Sequence, residues 1–494
     1  MKEKSKTNKL FSGLSVQTVI TAIQGILEIS LFAIMSRLLS KVDFGYYAAL
    51  MGIMNICLSL SEAGLGSAII QKKNASEGHV NTAFTLSILL GLSFSAIIFI
   101  FAPQISIIVA DKSLTMPMRI VAITLLLNSL NSIGNSILLK RLNFKRVGII
   151  SIVSYFVSGI IGIVLALKGF GLYSIVAYVV LYPLFVCLLL YSTSVKIPKL
   201  SIKKNEVKGI ASFGGWLTAG VIANNITHQL DKLLLSKWIS VEALGSYNRP
   251  AGFVNNIASK INGIFDTVLF PILSELQDDT SKVKDVFLRA TNLLNSFSVI
   301  LSALFFFNAE LIITIFFGEK WIELVPVLRI VSISVIFNVN GRLVDCFFRS
   351  LALVKIGCLL RFVSAVVTLV CLYIGAQFDI LGVAVGLVLA NILNILTKVF
   401  VLAKKIRCNL MDLLSSWSRA MIAVVPVAIL GLIFMIWIPK NIFSEFVFVI
   451  IIFITILIEF IYFPQLIGRE YYNRIHPVII AQLTKNFSQK KNRC

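Results

Sequence analysis

A chain of 494 residues that is 57% hydrophobic and only 14% charged carries more apolar surface than one soluble core can bury. Its net charge of +22 superficially matches a nucleic-acid binder, but the basic residues fall in short blocks between long apolar runs, the pattern of a membrane protein. No connection between the runs is long enough to fold as a separate catalytic domain, so any function lies within the helices or at their mouths.

The runs predict an all-α polytopic membrane protein with about fourteen transmembrane helices. They centre near residues 26, 57, 91, 128, 158, 182, 224, 257, 297, 336, 366, 391, 427 and 455, each long enough to cross about 30 Å of hydrocarbon. The first span follows a basic lead, KEKSKTNK, yet carries Gln17, Gln24 and Glu28 and lacks a small-residue cleavage site, so it is read as a retained helix. Gln17, Thr21, Gln24 and Glu28 fall on one face of it. Span 2 repeats the device with Asn55, Ser59, Glu62 and Gly66. With the N-terminus inside, the blocks KRLNFKR from Lys140, KIPKLSIKK from Lys196 and AKKIR from Ala403 all lie on the inner side. That bias predicts cytoplasmic termini in a cytoplasmic membrane, with no nucleic-acid partner.

The string SRLLSKVDFGYY at Ser36 returns as SKWISVEALGSY at Ser236, an offset of 200 residues. Ser36/Ser236, Ser40/Ser240, Gly45/Gly245 and Tyr47/Tyr247 match, and the register extends to Gly52/Gly252, Asn55/Asn255 and Ser59/Ser259. An even number of spans separates the copies, so both enter the membrane in the same direction. Parallel repeats of this kind flank the substrate site of many transporters. The predicted organisation is a six-helix bundle over 1–195, a cytoplasmic linker over 196–208, a second six-helix bundle over 209–405, and two further helices with a basic tail over 406–494. The bundles are pseudo-symmetric.

In span 7 the polar stripe continues with Asn224, His228 and Asp231, where Asn224 matches Gln24 and His228 matches Glu28. In span 8, Arg249, Asn256 and Lys260 share a face, with the two cations about 16 Å apart. Span 10 adds Arg342, three residues before Asp345. An ionised group facing lipid costs at least about 2.5–3.5 kcal/mol, so these groups are expected to face protein or water. Each then has two readings, a structural tie or a site. As sites, Arg249, Lys260, Asn256 and Arg342 are candidates for an anionic substrate; Glu28, His228 and Asp231 for ion coupling; and Gln24, Asn55, Glu62 and Asn224 for cavity lining. No nucleophile–base pair, metal cluster or cofactor motif is present, and an enzyme is not expected.

The run LDKLLLSKWISVEALGSYNRPAGF, followed by LFPILSELQDD from Leu269, resembles the Wzx-type polysaccharide flippases of the multidrug/oligosaccharidyl-lipid/polysaccharide superfamily. The resemblance rests on Asp231, on Leu244-Gly245-Ser246-Tyr247-Asn248-Arg249, and on Leu269-Phe270-Pro271. SEAGLGSAIIQ at Ser61 resembles the end of the family's span 2, with Glu62 where Asp is commoner. Pro250 departs from a small Ala, and Ser236 and Ser240 from frequent glycines. The resemblance implies translocation of an undecaprenyl-pyrophosphate-linked oligosaccharide, with a polysaccharide polymerase and chain-length machinery as downstream partners and a monomer sufficient for transport. Two other readings stay open at this point: a cation-coupled multidrug extruder of the MATE type, which calls for carboxylates and aromatics, and a flippase for the peptidoglycan lipid precursor.

Overall fold

Backbone amides have no water to bond in hydrocarbon, so a chain this apolar must close its hydrogen bonds within helices. The computed structural model describes residues 20–202 except 21, 63, 72–75 and 142; 206–207, 229, 235 and 238; 240–437 except 278 and 352; and 444, 447, 448, 450–452 and 455. Among these there is no β-strand. Helix α1 covers residues 22–38. It is followed by α2 (Lys41–Glu62), the short α3 (Leu65–Gln71), α4 (Glu77–Val109), α5 (Thr115–Lys140), α6 (Phe144–Leu167) and α7 (Leu172–Thr193). Then come α8 (Val241–Glu275), α9 (Thr280–Phe307), α10 (Val325–Ser350), α11 (Val354–Ala376), α12 (Asp379–Lys405) and α13 (Leu410–Trp437). Nine helices among the described residues are long and apolar enough to cross a membrane. The expected span near 224 lies outside the described residues, and the one near 455 does so except for isolated positions.

Helix starts follow the local sequence. Ser40 and Asp43 form a reciprocal cap on α2: the Asp43 amide donates to Ser40 Oγ at 3.1 Å, and the Ser40 amide to Asp43 Oδ2 at 3.0 Å. Ser40 has its repeat partner in Ser240, whose Oγ accepts from the Ala243 amide at 3.0 Å at the start of α8. These serines are therefore helix caps, which gives the departure from glycine at Ser240 a structural role. Ser76, Asn143 and Asp279 cap α4, α6 and α9 in the same way. Between α4 and α5, partial burial pushes the Asp111 carboxyl up, but hydrogen bonds from Tyr46 and Ser113 outweigh it and hold the group below its ordinary value. Those contacts contribute above the usual carboxylate range and are lost as pH falls through the depressed value.

The chain divides into two compact units, Met1–Asn248 with Phe316–Gly318, and Arg249–Ile315 with Glu319–Cys494. The boundary between the units falls inside α8, between Asn248 and Arg249. In the first unit α4 packs on α5, α5 on α7 and α6 on α7. In the second, α9 packs on α10, α10 on α12 and α11 on α12. The third-to-fourth, fourth-to-sixth and fifth-to-sixth span contacts of one half thus recur in the other, which carries the repeat from sequence into packing. The appended helix α13 lies on α9, where Val427, Phe434 and Ala303 share a buried cluster.

The repeated glycines explain why these positions match. Within the first unit, a Cβ on Gly45 would overlap the Val241 carbonyl, and one on Gly245 would overlap the Lys41 carbonyl. The first turns of α2 and α8 meet backbone to backbone there, a contact open only to residues without a side chain. Pro250 lies nine residues into α8, not in its first turn, so it leaves the Ser246 carbonyl without its helical donor. Residues of the linker lie along the start of α4. The Lys199 amide donates to Asn81 Oδ1 at 3.0 Å, the Ser201 amide to Thr85 Oγ1 at 2.9 Å, and Glu206 pairs with His79.

Candidate functional site

The first unit has a half-open cavity of about 180 Å³ between α2, α5 and α7. Its polar lining is Tyr47, Asn55, Thr124, Asn128, Tyr178 and Tyr182, and the rest is apolar. Tyr178 and Tyr182 are one helical turn apart on α7 and both reach Tyr155 of α6, with ring centroids 5.5 and 5.8 Å away in edge-on geometry. Tyr155 and Tyr178 share a hydrogen bond, and Tyr182 bonds Ser151. Pro183, inside α7, cannot donate to the carbonyl of Val179, and both residues line the cavity. Asn131 of α5 braces this break by donating to the Pro183 carbonyl at 2.8 Å.

Of the residues expected to line a cavity, Asn55 does so. Its side chain makes no hydrogen bond to a described residue. Gln24 and Glu28 are half-buried on the same face of α1, and Glu28 is near enough to Tyr155 and Tyr182 to act on them electrostatically. Glu62 is half-buried at the end of α2, one turn beyond Leu58, and is not among the residues that line the cavity. Asn224, His228 and Asp231 lie outside the described residues.

In the second unit Arg249 is buried, with 2% of its surface exposed, and is the largest buried cationic side chain among the described residues. A guanidinium stays ionised at any physiological pH, so this site holds a fixed positive charge inside the protein. Asn256, two turns on, is exposed. The side chain of Lys260 lies outside the described residues, although its backbone continues α8. Arg342 is half-buried on α10. The internal Arg342/Asp345 pair is not what forms: Asp345 takes its ion pair from Lys398 of α12 at 3.0 Å. The cross-helix partner wins because α10 and α12 pack closely and Lys398 brings a flexible point charge into reach.

The halves differ at one matched position. Asn255, the repeat partner of Asn55, accepts from Asn338 Nδ2 at 2.7 Å and so joins α8 to α10. Asn55 instead opens on the cavity. The tyrosines and Asn128 escaped the sequence reading because tyrosine scores as apolar in a span; the Tyr178/Tyr182 spacing of four was the available signal.

A two-unit protein that is helical and without strands among the described residues, and whose halves repeat their packing, has the architecture of multi-pass membrane transporters. The chain belongs to the family described as polysaccharide biosynthesis protein, whose model matches residues 34–326, more than half of its length. It is 24% identical over 408 residues to the lipopolysaccharide biosynthesis protein WzxC of Escherichia coli (strain K12), covering 81% of this chain and 82% of that one. It is 27% identical over 346 residues to the teichuronic acid biosynthesis protein TuaB of Bacillus subtilis (strain 168), covering 68% and 71%. Among solved structures, the lipid II flippase MurJ in an inward closed conformation superimposes with a TM-score of 0.72 at 15% identity, covering 90% of this chain and 97% of that one. At that identity the likeness carries the fold alone.

Proposed function

We propose that this protein is a flippase that moves undecaprenyl-pyrophosphate-linked oligosaccharide units across the bacterial cytoplasmic membrane by alternating access, for O-antigen, capsule or exopolysaccharide assembly. The observation that carries the reading is the family match over residues 34–326, supported by relatives named for polysaccharide assembly. The chemistry agrees with it. A pyrophosphate concentrates negative charge, and the buried Arg249 offers a guanidinium that can fork onto two phosphate oxygens. Lys260 and Arg342 are further substrate-binding candidates, with Asn256 supplying an amide. A permanently buried cation does not suit an extruder of organic cations. The protein acts without chemistry on its substrate and passes it to a polymerase and its chain-length partners. The direct test is to inactivate the gene in its host: lipid-linked repeat units should build up inside and surface polysaccharide should fall, whereas normal surface polysaccharide contradicts the reading.

Transport is coupled, in this proposal, to proton antiport through Glu28 with His228 and Asp231. A half-buried carboxylate on a polar helix face can exchange its proton as water access alternates. Glu28→Gln should flatten the pH dependence of transport and reduce its rate; a variant with the wild-type rate and pH profile removes Glu28 from the coupling. In this proposal both termini and the linker 196–208 lie in the cytoplasm, as the bias of basic residues between spans suggests. A cysteine reporter at Lys320 should be labelled by an impermeant reagent from outside and one at Lys203 should not. The reverse pattern inverts the topology.

A further inference from the structure

The cavity of the first unit has hydrogen-bonding capacity that the fold does not use. Neither end of the Asn55 amide is bonded to a described residue. Asn128 donates its Nδ2 to the Thr124 carbonyl at 2.9 Å, which leaves its Oδ1 available. The Val179 carbonyl lost its donor to Pro183. Asn55 and Asn128 are half-buried and line a half-open space with the Val179 carbonyl, so together they offer hydrogen bonds to a polar occupant. The matched position in the other half sharpens the point, because Asn255 is spent on Asn338. The open amide is therefore a property of the first half and not of the repeat.

Size and charge limit the occupant. At about 180 Å³ the cavity is below the roughly 300 Å³ at which pockets begin to hold drug-sized molecules, so it takes one ring and not a whole oligosaccharide. Among the described residues no cation lines it, which argues against the pyrophosphate as the occupant. Glu28 stands near Tyr155 and Tyr182 and disfavours an acidic sugar. What remains is a neutral ring with hydroxyl or acetamido groups for the amides and C–H faces for the tyrosines.

We propose that this cavity is a subsite for one neutral sugar ring of the translocated lipid, held by Asn55, Asn128 and the hydroxyls of Tyr178 and Tyr182. The inference rests on the reading of the protein as a flippase for lipid-linked glycans.

The test measures equilibrium binding of two probes to the full-length protein in nanodiscs, undecaprenyl-pyrophosphoryl N-acetylglucosamine and bare undecaprenyl pyrophosphate. Wild type should prefer the glycosylated lipid. Asn55→Leu should reduce that preference about tenfold, the worth of one or two hydrogen bonds. Asn128→Leu should act in the same direction and serves if Asn55→Leu does not accumulate. A structural role would weaken both probes together and leave the ratio intact, and that result, or an unchanged ratio in both variants, overturns the subsite. Translocation assayed in parallel separates the two claims. Wild type that flips the glycosylated lipid beside variants that keep its preference refutes the subsite alone; wild type that binds with preference but flips nothing refutes the flippase reading alone.

Discussion

Arg249→Ala is expected to lower translocation of the lipid-linked oligosaccharide about a hundredfold while the protein still accumulates in the membrane. The size follows from the chemistry: a hydrogen bond to a charged group is worth about 1.5–3 kcal/mol, and a forked contact to pyrophosphate places two of them in a region of low dielectric. Arg249 is 2% exposed, so its charge is not diluted by bulk water. Arg249→Lys keeps the charge and loses the fork, and should recover only part of the activity. The competing account makes Arg249 a structural tie to a carboxylate elsewhere in the protein. Removing the cation would then strand that carboxylate at a cost of about 3–5 kcal/mol, and the protein would fail to accumulate until the acid was removed as well. Accumulation measured beside transport decides between the two.

The second large effect is expected at the paired glycines. Gly245→Ala and Gly45→Ala should each reduce membrane accumulation severalfold, because the added methyl meets backbone carbonyls that cannot rotate away. Overpacking of this kind costs about 1–3 kcal/mol even where side chains yield, and here none is available to yield. Gly252 supplies the control. It lies on the same helix, and a Cβ there meets nothing within 4 Å. Gly252→Ala should therefore accumulate at or above the wild-type level, since alanine favours the helix by roughly 0.5–1 kcal/mol. Equal behaviour of Gly245→Ala and Gly252→Ala would show that the close approach of α2 and α8 does not matter.

Much of the fold was legible because it follows from hydrophobic length. Runs such as 77–109 and 379–405 have little choice but to be spanning helices, and a fixed register carried Ser40 onto Ser240 and Gly45 onto Gly245. What the repeat meant was not legible. Identity at Gly45 and Gly245 says that glycine is needed, while the reason, two backbones in contact, appears only when the helices are placed. The start of α8 also needs a contact to be seen: the Ser240 hydroxyl caps the helix at Val241, so the Leu244–Arg249 element lies inside the helix. Charge pairing was the least readable feature. Arg342 and Asp345 have ideal spacing along one helix, but Lys398 lies 53 residues away in sequence and beside Asp345 in space. The tyrosines around the cavity were hidden by their dual character, apolar in a hydropathy count and polar at the tip.

The central claim is that this protein itself carries a lipid-linked glycan across a bilayer. Purified protein reconstituted into liposomes with a fluorescent undecaprenyl-pyrophosphate oligosaccharide, isolated from polymerase-deficient cells, tests it most directly, with access of a membrane-impermeant glycan-modifying reagent followed over time. The account predicts that wild-type protein makes the inner-leaflet glycan accessible, that protein-free liposomes do not, and that Arg249→Ala slows the process about a hundredfold. Accessibility that rises no faster with wild-type protein than without it would contradict the account.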